Sequence, residues 1–95
     1  MEKTFMLTVT YQAKPGCAKA FVEELEASGV AEAVRKEDGC IHYDYYFSAK
    51  NADVVFLFEE WTSQKHQQIH MTQPHMPQLR QIKEKYIQDT QLRIL

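Results

Sequence analysis

Alternation opens the chain. Over residues 4–11, Phe5, Leu7, Val9 and Tyr11 point one way, and Thr4, Met6, Thr8 and Thr10 point the other. A period of two with β-branched Thr and Val throughout predicts a strand. Pro15-Gly16 ends it. From 17 to 36 the spacing becomes helical: Ala18, Phe21, Val22, Leu25 and Ala33 form an apolar stripe, with acids and lysines opposite. Gly29 interrupts that stripe and is expected to bend or shorten the helix. "EDGC" at 37–40 predicts a turn, with Gly39 suited to a left-handed stop. Residues 40–48 alternate again. Ile41, Tyr43, Tyr45 and Phe47 should share one face, and His42, Asp44 and Tyr46 the other. "AKNAD" then predicts a hairpin connection into a third strand over 53–61.

That third strand, "DVVFLFEEW", breaks the alternation. Val54, Val55, Phe56, Leu57 and Phe58 are apolar on both faces. A sheet with one wet face would show polar residues at every second position. Helices of the chain can cover one side; a second subunit is the expected cover for the other. Residues 63–71 predict a short helix capped by Ser63 or Thr62. Pro74 suits the first turn of a new helix, so the break falls near "TQP". Met76, Leu79, Ile82 and Tyr86 then form one stripe, through residue 87. "DTQLRIL" alternates once more, with Leu92 and Ile94 on one face, and predicts a fourth strand. The order is β-α-β-β-α-β: an α+β, ferredoxin-like antiparallel sheet with helices on one face and a partner on the other.

Composition narrows this picture. Ninety-five residues predict one domain, 1–95. Eleven basic and thirteen acidic residues give a net charge of -2, with lysines scattered among acids, so no nucleic-acid partner is expected. No apolar run approaches the ~20 residues of a membrane span. The N-terminus has no apolar signal-peptide core. Cys17 and Cys40 suit neither a disulfide framework nor a paired metal site, so a cytoplasmic, reducing location is expected.

The candidate chemistry gathers in "HQQIHMTQPHM" at 66–76. His66 and His70 are four apart and share a helix face. The zinc-protease signature would place Glu after the first His, and Gln67 stands there, so no metal is expected and His66 reads as a solvated surface residue. His70 and His75 flank the helix break, where a cavity can open; His70 is the first candidate for proton chemistry. Glu59 and Trp61, two apart on the third strand, share a face, and Tyr43 and Tyr45 can stand beside it. A carboxylate beside Trp in so apolar a strand is unusual. Three glycines make no phosphate loop, and no Ser or Cys sits on a nucleophile motif. An enzyme built this way is expected to use no flavin, nicotinamide or haem.

The series strand, helix, "EDGCIHYDYYF", strand ending "EEW" and H-x-T-x-P-H-M resembles the antibiotic biosynthesis monooxygenase family, in its quinol monooxygenase-like and autoinducer-2 phosphate isomerase-like subgroup. The likeness runs from about residue 4 to 95. Its most specific parts are Gly39-Cys40 followed by Tyr43, Glu59-x-Trp61, and His70 with Pro74-His75-Met76. It implies a homodimeric α+β barrel in which two sheets pack face to face, which would supply the missing cover. It implies a pocket between sheet and helices in each subunit. There, His70 is the base or proton shuttle, Glu59 orients it or holds a substrate hydroxyl, and Trp61, Tyr43, His75 and Met76 form the wall and rim. It also implies a cofactor-independent reaction of O₂ with a small electron-rich aromatic substrate. The alternatives are isomerisation of a small phosphorylated dione, for which Arg80 or Lys65 would supply the cation, and a non-catalytic small-ligand-binding module. Haem-degrading relatives differ. In place of their first-strand Asn, helical Trp and haem-ligating His, this chain has Thr8 or Thr10, His70 and Arg80, and Arg80 cannot ligate iron.

Overall fold

A computed structural model describes residues 3–95. In chain order the elements are β1 (Phe5–Ala13), α1 (Ala18–Ala27), α2 (Val30–Arg35), β2 (Cys40–Phe47), β3 (Val54–Trp61), α3 (Gln64–His70), α4 (Met76–Tyr86) and β4 (Ile87–Ile94). The strands form one sheet in the order β2-β3-β1-β4, and every neighbouring pair is antiparallel. This is the ferredoxin-like βαββαβ arrangement expected from the patterning. Among the described residues, no helix is long and apolar enough to cross a membrane.

The core lies between the helices and one face of the sheet. From β1 come Leu7, Val9, Tyr11 and Ala13; from β3 come Val55, Leu57 and Trp61. The helices answer with Phe21 and Leu25 on α1, Val34 on α2, and Met76, Leu79 and Ile82 on α4. Tyr86, the last residue of the α4 stripe, is half-buried and packs against this core. The far side of β3 carries Phe56 and Phe58, and among the described residues Phe56 is left exposed. Both faces of this strand are therefore apolar, as its sequence implied.

The helix over 17–36 is broken rather than bent. Gly29 adopts φ +84°, a left-handed conformation that only glycine takes without strain. The Ser28 hydroxyl donates to the Leu25 carbonyl and accepts from the Val30 N–H, closing one helix and starting the next. Arg35 ties the second helix down. Its guanidinium makes two 2.8 Å bonds to Glu26, and its Nε donates to the Tyr43 carbonyl at 2.9 Å.

Two details depart from the sequence reading. The register between β2 and β3 shifts between Cys40 and His42, so Cys40 faces Trp61 while Ile41 is the bulged residue and is exposed. Ile41 therefore does not share the inner face with Tyr43; the extra residue flips the alternation upstream of it. The proline in the first turn of α4 is Pro77, not Pro74. Pro74 lies in the turn between α3 and α4, where its missing N–H costs nothing. Leu92 and Ile94 share a face of β4, as expected, and pair with Val9 and Leu7, though both are more than half exposed.

Candidate active site

Gly39 shapes the site. It adopts φ +83°, and a Cβ there would collide with the His66 ring. The tight turn that follows α2, closed by the Cys40 N–H on the Glu37 carbonyl at 3.2 Å, aims the Glu37 side chain inward. Only 8% of that side chain is exposed. His66 serves this turn rather than the solvent. Its ring lies over Gly39, Nδ1 is 2.7 Å from the Ser63 hydroxyl, and Nε2 is 3.4 Å from Asp38. The expectation of a freely solvated His66 is corrected: a ring needed to cover a glycine is held half-buried.

His70 closes α3 and is buried. Its Nδ1 stands 2.9 Å from Oε2 of Glu37. The same oxygen lies 2.7 Å from Nε2 of His75, at the start of α4. One carboxylate oxygen thus bridges the two histidines that flank the helix break. Trp61 backs the His70 ring at 4.7 Å between centroids and 32° between planes, and Tyr43 meets it edge-on at 6.0 Å. Trp61 Nε1 donates to Glu59 Oε1 at 3.0 Å.

A cavity of about 110 Å³ opens beside this cluster, between the sheet and helices α3 and α4. Its wall includes Tyr11, Tyr43, Glu59, His70, Met76 and Lys83. Trp61 is completely buried behind His70, and His75 sits behind Glu37; neither lines the cavity. Nε2 of His70 and Oε2 of Glu59 make no hydrogen bond among the described residues. No fully buried side-chain nitrogen or oxygen lacks a partner among the described residues. These two atoms therefore meet the cavity.

Burial dominates the electrostatics. It pushes the Glu59 carboxyl above its ordinary range, reinforced by the Glu37 charge and opposed by the Trp61 N–H and by His70. The Tyr11 and Tyr43 phenols are also raised, chiefly by burial. Tyr43 and Tyr45 hold each other's hydroxyls at 2.9 Å. Burial, followed by the Glu37 and Glu59 charges, lifts the Cys40 thiol to about 11, so it is no nucleophile near neutrality.

The sequence profile described as "Antibiotic biosynthesis monooxygenase" matches residues 4–81. The chain belongs to that family. No curated protein matches the sequence. Solved structures agree with the family's fold. A Pseudomonas aeruginosa protein is 25% identical with a TM-score of 0.85, over 100% of this chain and 94% of its own. A Nitrosomonas europaea protein titled "Putative antibiotic biosynthesis monooxygenase" is 19% identical with a TM-score of 0.88, over 100% of this chain and 90% of its own. A conserved Methanosarcina mazei protein is 23% identical with a TM-score of 0.84, over 99% and 92%.

In this family member the proton-handling candidates cluster under the helices. A larger depression of about 640 Å³ lies on the opposite face of the sheet, lined by Thr8, Thr10, Phe56, Gln91 and Arg93. Its lining has no carboxylate, imidazole or thiol, so the small cavity is the better place for chemistry. Among the described residues, the one group able to hold a metal is Glu37, His70 and His75, whose donor atoms lie within 4.8 Å of one another. Two imidazoles and a carboxylate would suit a divalent transition ion. The sequence pair His66 and His70 is not that set. Glu37 went unnoticed in the sequence because it lies 33 and 38 residues from its partners, and only its place before the Gly39 turn hinted at it. The cations expected for an anionic substrate, Arg80 and Lys65, are exposed and do not line the cavity; Lys83 does.

Proposed function

We propose that this family member is a cofactor-independent monooxygenase acting on a small electron-rich aromatic, a phenol or quinol, with His70 as the base. One observation carries the reading: His70 offers one ring nitrogen to the buried Glu37 and the other to the cavity. With Nδ1–H donating to the carboxylate, Nε2 keeps its lone pair where substrate would sit. Glu37 then stabilises the imidazolium that forms when the base takes a proton. His75 shares the same oxygen and holds the carboxylate in place. Trp61 fixes the ring plane from behind. Glu59, with one oxygen on Trp61, presents the other to a substrate hydroxyl, and Tyr43 and Met76 form the apolar wall.

The chemistry closes without a redox group. His70 removes the phenolic proton, and the electron-rich phenolate reduces O₂ directly. A carbon–oxygen bond forms at a ring carbon that bears hydrogen, ortho to the phenolate in a quinol and ortho or para in a simple phenol, and the imidazolium returns its proton to the distal peroxide oxygen. Loss of the ring C–H proton then breaks the O–O bond. One oxygen stays as the quinone carbonyl, and the other leaves as water with both protons. The substrate supplies all four electrons, so substrate and O₂ are the only reactants. General-base help of this kind contributes roughly 10²- to 10⁴-fold.

The protein also acts, in this proposal, as a homodimer whose second sheet covers Phe56, Phe58 and Tyr46. Phe56 and Tyr46 are exposed on the uncovered face. Oxygen uptake with a panel of hydroquinones and phenols tests the enzyme reading. Turnover by the native chain that His70→Ala abolishes and EDTA leaves unchanged supports it. Uptake no greater than in that variant sinks it, and uptake lost on chelation would bring a metal into the Glu37, His70 and His75 cluster. Anaerobic rearrangement of a phosphorylated dione would transfer the same residues to an isomerase, and ligand stabilisation without turnover would leave a binding module.

A further inference from the structure

The cavity has an acidic end and a basic end. Leu7, which pairs with Glu59, and Tyr11, over whose ring Lys83 lies, are four residues apart on β1, so Glu59 and Lys83 mark opposite ends of the lining. Met76, Leu79 and Lys83 follow one another at three- and four-residue steps on α4, so the lysine continues the helix face that packs over the sheet. Its ammonium lies 5.4 Å from the centroid of the Tyr11 ring, which also lines the cavity.

Lys83 differs from the other unpaired cations on the helices, Lys36, Lys65 and Arg80, in being half-buried where they are exposed. Lys85 pairs with Glu24 at 2.8 Å, Arg35 with Glu26 at 2.8 Å, and Lys19 with Glu23 at 3.9 Å. Lys14 donates to the carbonyls of Glu84 and Lys85. Among the described residues the Lys83 ammonium has no carboxylate within ion-pairing distance and no hydrogen bond, although the residue is half-buried. Burial pulls its ionisation below the ordinary range for lysine, and the neighbouring Arg80 charge adds to this. A half-buried cation whose close polar contact is a ring face is costly unless something anionic joins it.

We propose that Lys83 anchors the anionic group, a carboxylate or a phosphate monoester, of a small aromatic ligand in this cavity. The inference rests on the cavity being the active site and narrows its substrate class. The acid end sets the orientation: Glu59 and Glu37 repel a second anion there, so the ligand's hydroxyl meets His70 and its anion meets Lys83. At about 110 Å³ the cavity is smaller than the ~150 Å³ of one that accepts benzene, so it holds only part of a substituted ring. The charged group then extends past Lys83 toward the β4 edge at Thr90 and Leu92, where Leu92 is exposed.

Calorimetry at low salt tests this with three probes: hydroquinone, 2,5-dihydroxybenzoate and 4-hydroxyphenyl phosphate. The native protein should bind at least one anion about tenfold or more tighter than hydroquinone, as a charge-assisted contact would give. Which anion gains tells whether carboxylate or phosphate is preferred. In Lys83→Met the ratio of anion to neutral affinity should collapse toward one, and in Lys83→Arg it should persist. Lys83→Gln replaces Lys83→Met if the latter fails to fold. His70→Ala should lose turnover yet keep the anion preference, so a failed base assignment and a failed anchor are separable. Equal binding of anions and hydroquinone by the native protein, no binding of any probe, or an anion preference that survives Lys83→Met overturns the proposal.

Discussion

On its helix side, β3 presents Val55, Leu57, Glu59 and Trp61, all buried; on its other side it presents Phe56, Phe58 and Glu60, which reach or approach solvent. The same eight-residue strand therefore serves two environments. Under the helices, polar groups survive because each has a partner: Glu59 with Trp61, Glu37 with His70 and His75, Tyr43 with Tyr45. On the open side, Phe56 lies exposed among threonines, and Phe58 is half-buried beside His42. The closed face is an interior with a small cavity in it. The open face is the one that the proposed dimer would cover.

Removing the chemistry from the closed face should have the largest effect. His70→Ala is expected to lower turnover by roughly 10²- to 10⁴-fold while the thermal melt stays cooperative. Glu37→Gln keeps an acceptor oxygen but loses its charge; steady-state rates should fall by up to the ~10⁴-fold known for amidation of a triad carboxylate, chiefly in kcat. If Glu37→Gln turns over as fast as the native chain, the carboxylate does not serve His70. Next comes packing. Trp61→Ala empties a fully buried site and should destabilise the fold by about 3–5 kcal/mol in denaturant titration.

The open face should respond in assembly rather than in folding. Phe58→Asp places a charge on the uncovered side of β3, and sedimentation should shift from twice the chain mass to the chain mass, with far-UV circular dichroism unchanged. A native protein already monomeric at low micromolar concentration would remove the dimer reading. The smallest effect is a pH signature on the closed face. Because the folded protein holds the Glu59 carboxyl above its ordinary 4.5, the protonated form is favoured by folding. That favourable contribution is complete below pH 4.5 and is lost as pH rises through the folded value. Glu59→Gln should therefore raise Tm at pH 7.5, with the advantage fading toward pH 4.5. A Tm gain independent of pH would show that the carboxyl is not strained.

Much of this was visible along the chain because it depends on local periodicity. The period-two runs in β1 and β2, the stripe Met76, Leu79, Ile82 of α4 and the Ser63 cap of α3 all follow from neighbours within a few residues. The apolar run of β3 announced two apolar faces. The details that escaped are those where one residue shifts a pattern. The bulge at Ile41 turns a ring of alternation outward, and Pro77 rather than Pro74 opens the helix. His66 resembled a surface residue because nothing local reveals that a glycine's bare face needs a ring above it.

Local patterning was enough to establish the element order, the doubly apolar third strand, and His70 and Glu59 as candidates for chemistry; the family came from resemblance of the motif series. The company these residues keep came from the tertiary fold. It placed Glu37 between two histidines more than thirty residues away, moved Trp61 and His75 off the cavity wall, and brought Lys83 to the cavity instead of Arg80 or Lys65. Hydrophobic period is a property of adjacent residues, so it can be read along the chain. A hydrogen-bonded cluster depends on where distant turns deliver their side chains, and here that delivery hangs on the left-handed turn at Gly39.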